Sequence, residues 1–134
     1  MASRSIFVNI PVTDLKKSME FFSKLGFEFN PQFTDENAAC MILGKEGYVM
    51  LLKTPFFKTF TKREIGDPQK ATSAIFALSC ESRGEVDELL KKAIAAGGKE
   101  AMPKNDIGFM VNTSFYDLDG HHWEVLFMDP AHVK

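Results

Sequence analysis

The 134-residue chain runs through one order of elements twice: a strand, a helix, then three strands. In the first pass Ser5 to Val12, rich in Ile, Phe and Val, is expected to form a buried strand. Thr13 and Asp14 are helix-capping types, and Leu15, Met19, Phe22 and Gly26 follow at helical spacing, with Phe21 and Leu25 widening the apolar stripe. Gly26 ends that helix. Strands are expected over Phe27–Phe33, Ala38–Leu43 and Tyr48–Lys53, turned by Asp35-Glu-Asn37 and Gly44-Lys-Glu-Gly47. In the second pass Ser73 to Cys80 reads as a buried strand and Ser82-Arg-Gly-Glu85 as a capping box. Val86, Leu89, Leu90, Ala93 and Ile94 then mark an amphipathic helix stopped by Gly97-Gly98. A short strand near Lys99–Met102, a longer one over Phe109–Tyr116 and a last one through Glu124 complete the repeat.

Phe7 falls on Ile75, Gly26 on Gly97 and Met50 on Glu124, at offsets of 68 (75 − 7), 71 (97 − 26) and 74 (124 − 50). A four-stranded sheet crossed by one helix leaves its other face apolar, so two such units must cover each other. The repeat predicts an α+β fold of two βαβββ modules, near residues 1–60 and 70–134, within a single domain over 1–134. Two facing curved sheets would enclose a shared cavity, within one chain or across a homodimer. Between the modules, Phe56, Phe57 and Phe60 recur at helical spacing beside Lys58, Lys62 and Arg63. This segment is a lid helix, a dimer contact or a linker that packs its own aromatics.

The segment Phe115-Tyr-Asp-Leu-Asp-Gly-His-His-Trp-Glu124-Val-Leu-Phe carries the clearest chemical signal. Strand alternation sets Glu124 on one face with His122 and Leu126, and Trp123, Val125 and Phe127 on the other. A carboxylate in so apolar a run is costly unless it meets a metal, a hydrogen-bond donor or a ligand. The alternative is a solvated sheet face.

Composition narrows the classes. Net charge is −2, with 16 Lys and Arg against 18 Asp and Glu, which gives no electrostatic footprint for nucleic acid or an anionic membrane. No stretch approaches the length of a membrane span, and the N-terminus lacks signal-peptide form. Cys40 and Cys80 stand in neither metal-type nor redox-type spacing, so free thiols in a cytoplasmic setting are expected. Phe is over-used, at 13 residues with 7 Met, which suits a core that also lines an apolar cavity.

The paired βαβββ units, Val12-Thr-Asp14-Leu leading into the first helix, Leu25-Gly-Phe27 leaving it, and Asp117-Leu-Asp-Gly120…Glu124 together resemble the vicinal-oxygen-chelate superfamily. That group includes glyoxalase I, extradiol dioxygenases and bleomycin-resistance proteins. The resemblance spans essentially the whole chain, and within the superfamily the chain is similar to the branch named as predicted lactoylglutathione lyases. Metal-using members place a ligand on the first and last strand of each unit. The matching positions here are Phe7, Met50, Ile75 and Glu124, of which three are apolar. The resemblance therefore implies the fold without the metal. A set rebuilt from His122, Glu124 and Asn9 would be poor, since catalytic zinc normally takes three good protein ligands. No metal and no cofactor is expected.

Three functions follow. In the first, a small molecule sits in the cavity, walled by Phe7, Met50, Ile75 and Phe115, and Glu124 acts on it as a metal-independent base while Asn9 or His122 polarises an oxygen. In the second, the chain sequesters a ligand without chemistry, as bleomycin-resistance members do. The third is metal-dependent lactoylglutathione lyase or dioxygenase activity, which rests on the family name alone.

Overall fold

The computed structural model describes residues 3–132, which separate into two compact units divided between Gly66 and Asp67. In the first, β1 (Ile6–Val12) leads into α1 (Leu15–Lys24), followed by β2 (Glu28–Asn30), β3 (Ala38–Ile42), β4 (Gly47–Lys53) and the short α2 (Thr54–Lys58). The sheet order is β1-β4-β3-β2, with β1 parallel to β4 and the other pairs antiparallel. Asp14 starts α1 by accepting from the Lys17 backbone N–H at 3.0 Å. Leu15, Ser18, Phe21 and Phe22 form the buried face of α1, which packs on β3 and β4. That face meets Ile10, Val12, Ala39, Met41, Val49 and Leu51, all buried. Gly26 takes φ +104° just past the helix, a conformation that costs glycine least.

The strand expected over Phe27–Phe33 is shorter than the sequence suggests. Pro31 has no N–H to give a ladder, and Asn30 caps a 3₁₀ turn over Pro31–Phe33 by accepting from the Gln32 N–H at 3.0 Å. After β4, α2 packs against β1 and β4, and Thr54 Oγ1 donates to the Val12 carbonyl at 3.1 Å. Phe56 and Phe60 meet edge to face at 5.2 Å.

The second unit contains β5 (Ile75–Ser79), α3 (Arg83–Ala95), β6 (Lys99–Glu100), β7 (Asn105–Asp106), β8 (Met110–Tyr116) and β9 (His122–Met128). The order β5-β9-β8-β6 repeats that of the first unit, again with its first and last strands parallel. Ser82 Oγ accepts from the Glu85 N–H at 3.1 Å, while Glu85 reaches back to the Glu81 N–H at 2.6 Å, one residue earlier than a capping box would place it. Val86, Leu89 and Ala93 are the buried face of α3, which packs on β8 and β9 over Trp123, Val125, Thr113 and Val111. The strand beyond Lys99 divides in two: Pro103 interrupts the ladder, and pairing on β8 resumes at β7.

Both first strands depart from the buried character read in the sequence. Ile6 and Phe7 of β1 are 61% and 52% exposed, and Ile75 of β5 is 56% exposed. Each strand is the edge of its sheet, so only one neighbour shields it.

Candidate functional site

The Asp117–Glu124 segment is a tight hairpin organised by one buried carboxylate. Asp117 Oδ1 accepts from the backbone N–H groups of Asp119, Gly120 and His121, each at 3.0 Å. Its Oδ2 accepts from the Trp123 indole N–H at 2.9 Å. Burial pushes the Asp117 carboxyl above its ordinary value, and His121, the indole N–H and the backbone N–H groups oppose that shift. Asp117 therefore serves the turn and the anchoring of Trp123, which is fully buried.

With the turn fixed, the register is fixed. Tyr116 faces His122, Ser114 faces Glu124 and Asn112 faces Leu126 across β8–β9. On the other flank of β9, Ile75 faces His122 and Ala77 faces Glu124. Trp123 and Val125 point toward α3, so Glu124 and His122 occupy the face of the second sheet that its helix leaves open. Both are half-buried. Neither the Glu124 carboxylate nor the His122 ring nitrogens make a hydrogen bond or ion pair to any described residue. The Tyr116 and His122 rings meet edge to face at 5.3 Å.

The first unit has a matching open face. Phe7 faces Tyr48 and Asn9 faces Met50 across β1–β4, with Cys40 beside Met50 on β3. Phe7 and Tyr48 stack at 4.8 Å with their planes 11° apart. Asn9 Nδ2 donates to the Phe7 carbonyl at 3.0 Å, which turns its amide toward its own strand. Thus Phe7, Asn9 and Met50 share one face of the first sheet, and Ile75, His122 and Glu124 share one face of the second.

Phe115 does not belong with them. It faces Trp123, is 1% exposed and lies on the α3 side of the sheet. Its placement as a wall residue is corrected by one position: the hairpin from Asp117 to His121 closes so that Tyr116 shares the Glu124 face. Ser114, Tyr116 and Tyr48 were missed for the same reason. Alternation assigns parity within a strand, but the pairing register across strands is what names their partners.

The donor set does not fit the metal that the resemblance would bring with it. Three of the four corresponding positions, Phe7, Met50 and Ile75, have no oxygen or nitrogen donor in the side chain. Among the described residues no group of three or more His, Cys, Asp and Glu converges. The second sheet offers only His122 and Glu124, short of the usual three ligands. Among the described residues no helix is long and apolar enough to cross a membrane.

Residues 4–44 match the family described as bleomycin resistance protein-like N-terminal. No curated protein matches the sequence. The fold is shared with hypothetical protein SA1046 from S. aureus, 26% identical over 95% of each chain with a TM-score of 0.80. A glyoxalase/bleomycin resistance protein/dioxygenase family enzyme from Burkholderia phytofirmans PsJN superposes at TM-score 0.77 with 13% identity, over 94% of this chain and 99% of that one. The fosfomycin resistance protein FosX from Listeria monocytogenes does so at 0.67 with 20% identity, over 95% and 94%. At those identities the last two speak for the fold alone. With the repeated βαβββ topology and these neighbours taken together, the chain has the glyoxalase-like α+β fold, and its residues 4–44 match the bleomycin resistance protein-like N-terminal family.

Proposed function

We propose that the chain binds a small molecule on the open strand face of the second unit and acts on it without a metal, with Glu124 as a base that removes a proton next to a carbonyl. The observation that carries this is the state of Glu124. It is half-buried on the open face between Ala77 and Ser114, and it has no partner among the described residues. A carboxylate without a structural task, with His122 two residues along the same face, is arranged as an acid–base pair would be. The proton removed from carbon passes to the Glu124 carboxylate and the electron pair to the carbonyl oxygen, toward which His122 donates. For a 2-hydroxyketone, return of the proton to the former carbonyl carbon, as the hydroxyl on the deprotonated carbon gives up its proton to the first oxygen and becomes the new carbonyl, completes an isomerisation. Where the carbon β to the carbonyl carries a leaving group, its departure with the bonding electron pair completes an elimination. The two free cysteines accord with a cytoplasmic setting.

A panel of 2-hydroxyketones and 2-ketoaldehyde adducts, assayed in deuterium oxide with metal-free protein, tests this reading. The expected result is solvent deuterium at the substrate carbon. Glu124→Gln should lower that exchange by about a hundredfold or more, the usual worth of a positioned base. Chelator should leave the exchange unchanged. Exchange that requires added metal would overturn the reading.

A second reading has its own observation. The Phe7–Tyr48 stack presents a flat aromatic surface, and Phe7 is more than half exposed. Such a surface suits sequestration of a planar ligand. Tight ligand binding without exchange or turnover would favour it.

A further inference from the structure

The hairpin that orders Glu124 also forms one wall of a cleft with a different chemistry. The cleft holds about 390 Å³ and is lined within the second unit by residues 68–72, Gly97, Lys99, Tyr116, Asp117, Leu118 and Gly120. That volume lies at the small end of the range for small-molecule sites, roughly 300–1,000 Å³. Residues 68 and 69 are held firmly against the turn. Gly120 has φ +99°, and a Cβ there would lie 2.9 Å from the Pro68 carbonyl oxygen. Gln69 Nε2 donates to the Leu118 carbonyl at 3.3 Å.

The charges of this cleft are one-sided. Lys70 and Lys99 line it, and its one acid is Asp117. Both Asp117 oxygens are already occupied by four N–H donors, so the carboxylate is committed to the turn. Elsewhere in this unit Arg83, Lys92 and Lys104 pair with Asp106, Glu88 and Asp87. Lys70 and Lys99 have no such partner among the described residues, and neither the Tyr116 nor the Thr72 hydroxyl has a hydrogen bond. Lys99 faces Tyr116 directly across β6–β8, and Tyr116 faces His122 across β8–β9. Directly opposed residues share a sheet face, so Lys99 lies on the face that carries His122 and Glu124. A cleft lined by cations of one sign concentrates anions from solution.

We propose that this cleft is an anion subsite for the carboxylate or phosphate group of a small molecule. Lys70 and Lys99 supply the counter-charge, and the Tyr116 and Thr72 hydroxyls supply neutral donors. The anion site stands on the cleft alone. Only the further step, that the anion belongs to the molecule on which Glu124 acts, rests on the function proposed above.

Amide chemical shifts of the ¹⁵N-labelled full chain, titrated with inorganic phosphate and separately with acetate at constant ionic strength, test the site against chloride. Saturable shifts should be confined to residues 69–72, 99 and 116–120. Saturation by phosphate alone identifies a phosphate-type site, and saturation by acetate alone a carboxylate-type site. The pair Lys70→Ala and Lys99→Ala should weaken binding about tenfold or more, as loss of charge-assisted contacts requires, while Lys99→Arg and Glu124→Gln retain it. Unchanged shifts elsewhere in the spectrum certify the fold of each variant. The proposal is overturned if neither anion gives saturable shifts, or if the double lysine variant binds as the parent does. Deuterium exchange lost in Glu124→Gln without any anion binding would remove this site and leave the base in place. Anion binding without exchange would do the reverse.

Discussion

At the scale of single residues, the motif divides its labour between Asp117 and Glu124. The first is buried with four N–H donors on it, and the second is half-exposed with none. Asp117→Asn should therefore destabilise the protein, because an amide has one acceptor and its NH₂ must face either the backbone N–H groups or the indole N–H. About 2–3 kcal/mol is expected from unsatisfied buried donors, read as a lower urea midpoint with unchanged slope. A loss under half a kcal/mol would show that the turn holds without its carboxylate. Cys80 offers a second test. Burial first and the Glu85 charge second push its thiol up to about 11. Since the thiolate is the nucleophile, alkylation of Cys80 in the folded protein should keep rising with pH past 9 and level near 11. A plateau near pH 9 would contradict that environment.

The hairpin between β8 and β9 is the element on which both proposals depend. Gly120 is its least replaceable position, since a side chain would meet both a left-handed backbone and the Pro68 carbonyl. Gly120→Ala should cost about 2 kcal/mol or more, the sum of conformational strain and displaced backbone. It should also release residues 68–69, visible as faster exchange of the Gln69 amide. Gly66→Ala meets neither obstacle, because no atom lies within 4 Å and its φ is ordinary, and it serves as the control. The edge elements follow a simpler rule. Pro103 divides one edge into β6 and β7, so ladder continuity on that side of β8 is set by a missing N–H rather than by hydrophobicity.

For the whole molecule, the apolar side chains on β1 and β5 matter most. Ile6, Phe7 and Ile75 are each more than half exposed on edge strands, and such edges are templates for a second copy. We expect a homodimer. Sedimentation velocity at tens of micromolar should give a species of twice the 15.1 kDa chain mass, and Phe7→Lys together with Ile75→Lys should convert it to monomer. A monomeric parent under those conditions would contradict the expectation.

Much of this was legible before any coordinates because the relevant signals are local. Helix α1 begins at Leu15 because Asp14 caps it, and α3 begins behind Ser82 for the same reason. Gly26 and Gly97 end those helices because each needs positive φ. The alternation that puts Trp123 inside and Glu124 outside is a property of one strand and needs no partner. Other features depend on groups distant in sequence. Phe115 was assigned to the wrong side because its face follows from a hairpin whose closure Asp117 sets through Trp123, six residues on. The exposure of Ile6 and Ile75 follows from strand order, which an apolar run does not encode. The cationic cleft needs residues 68–72 folded onto Gly120, a contact across about fifty residues that no period or motif announces. Sequence thus determined the elements and their inner faces through short-range sterics and hydrogen bonding. Tertiary pairing alone decided which of those faces share a register and which charges remain without partners.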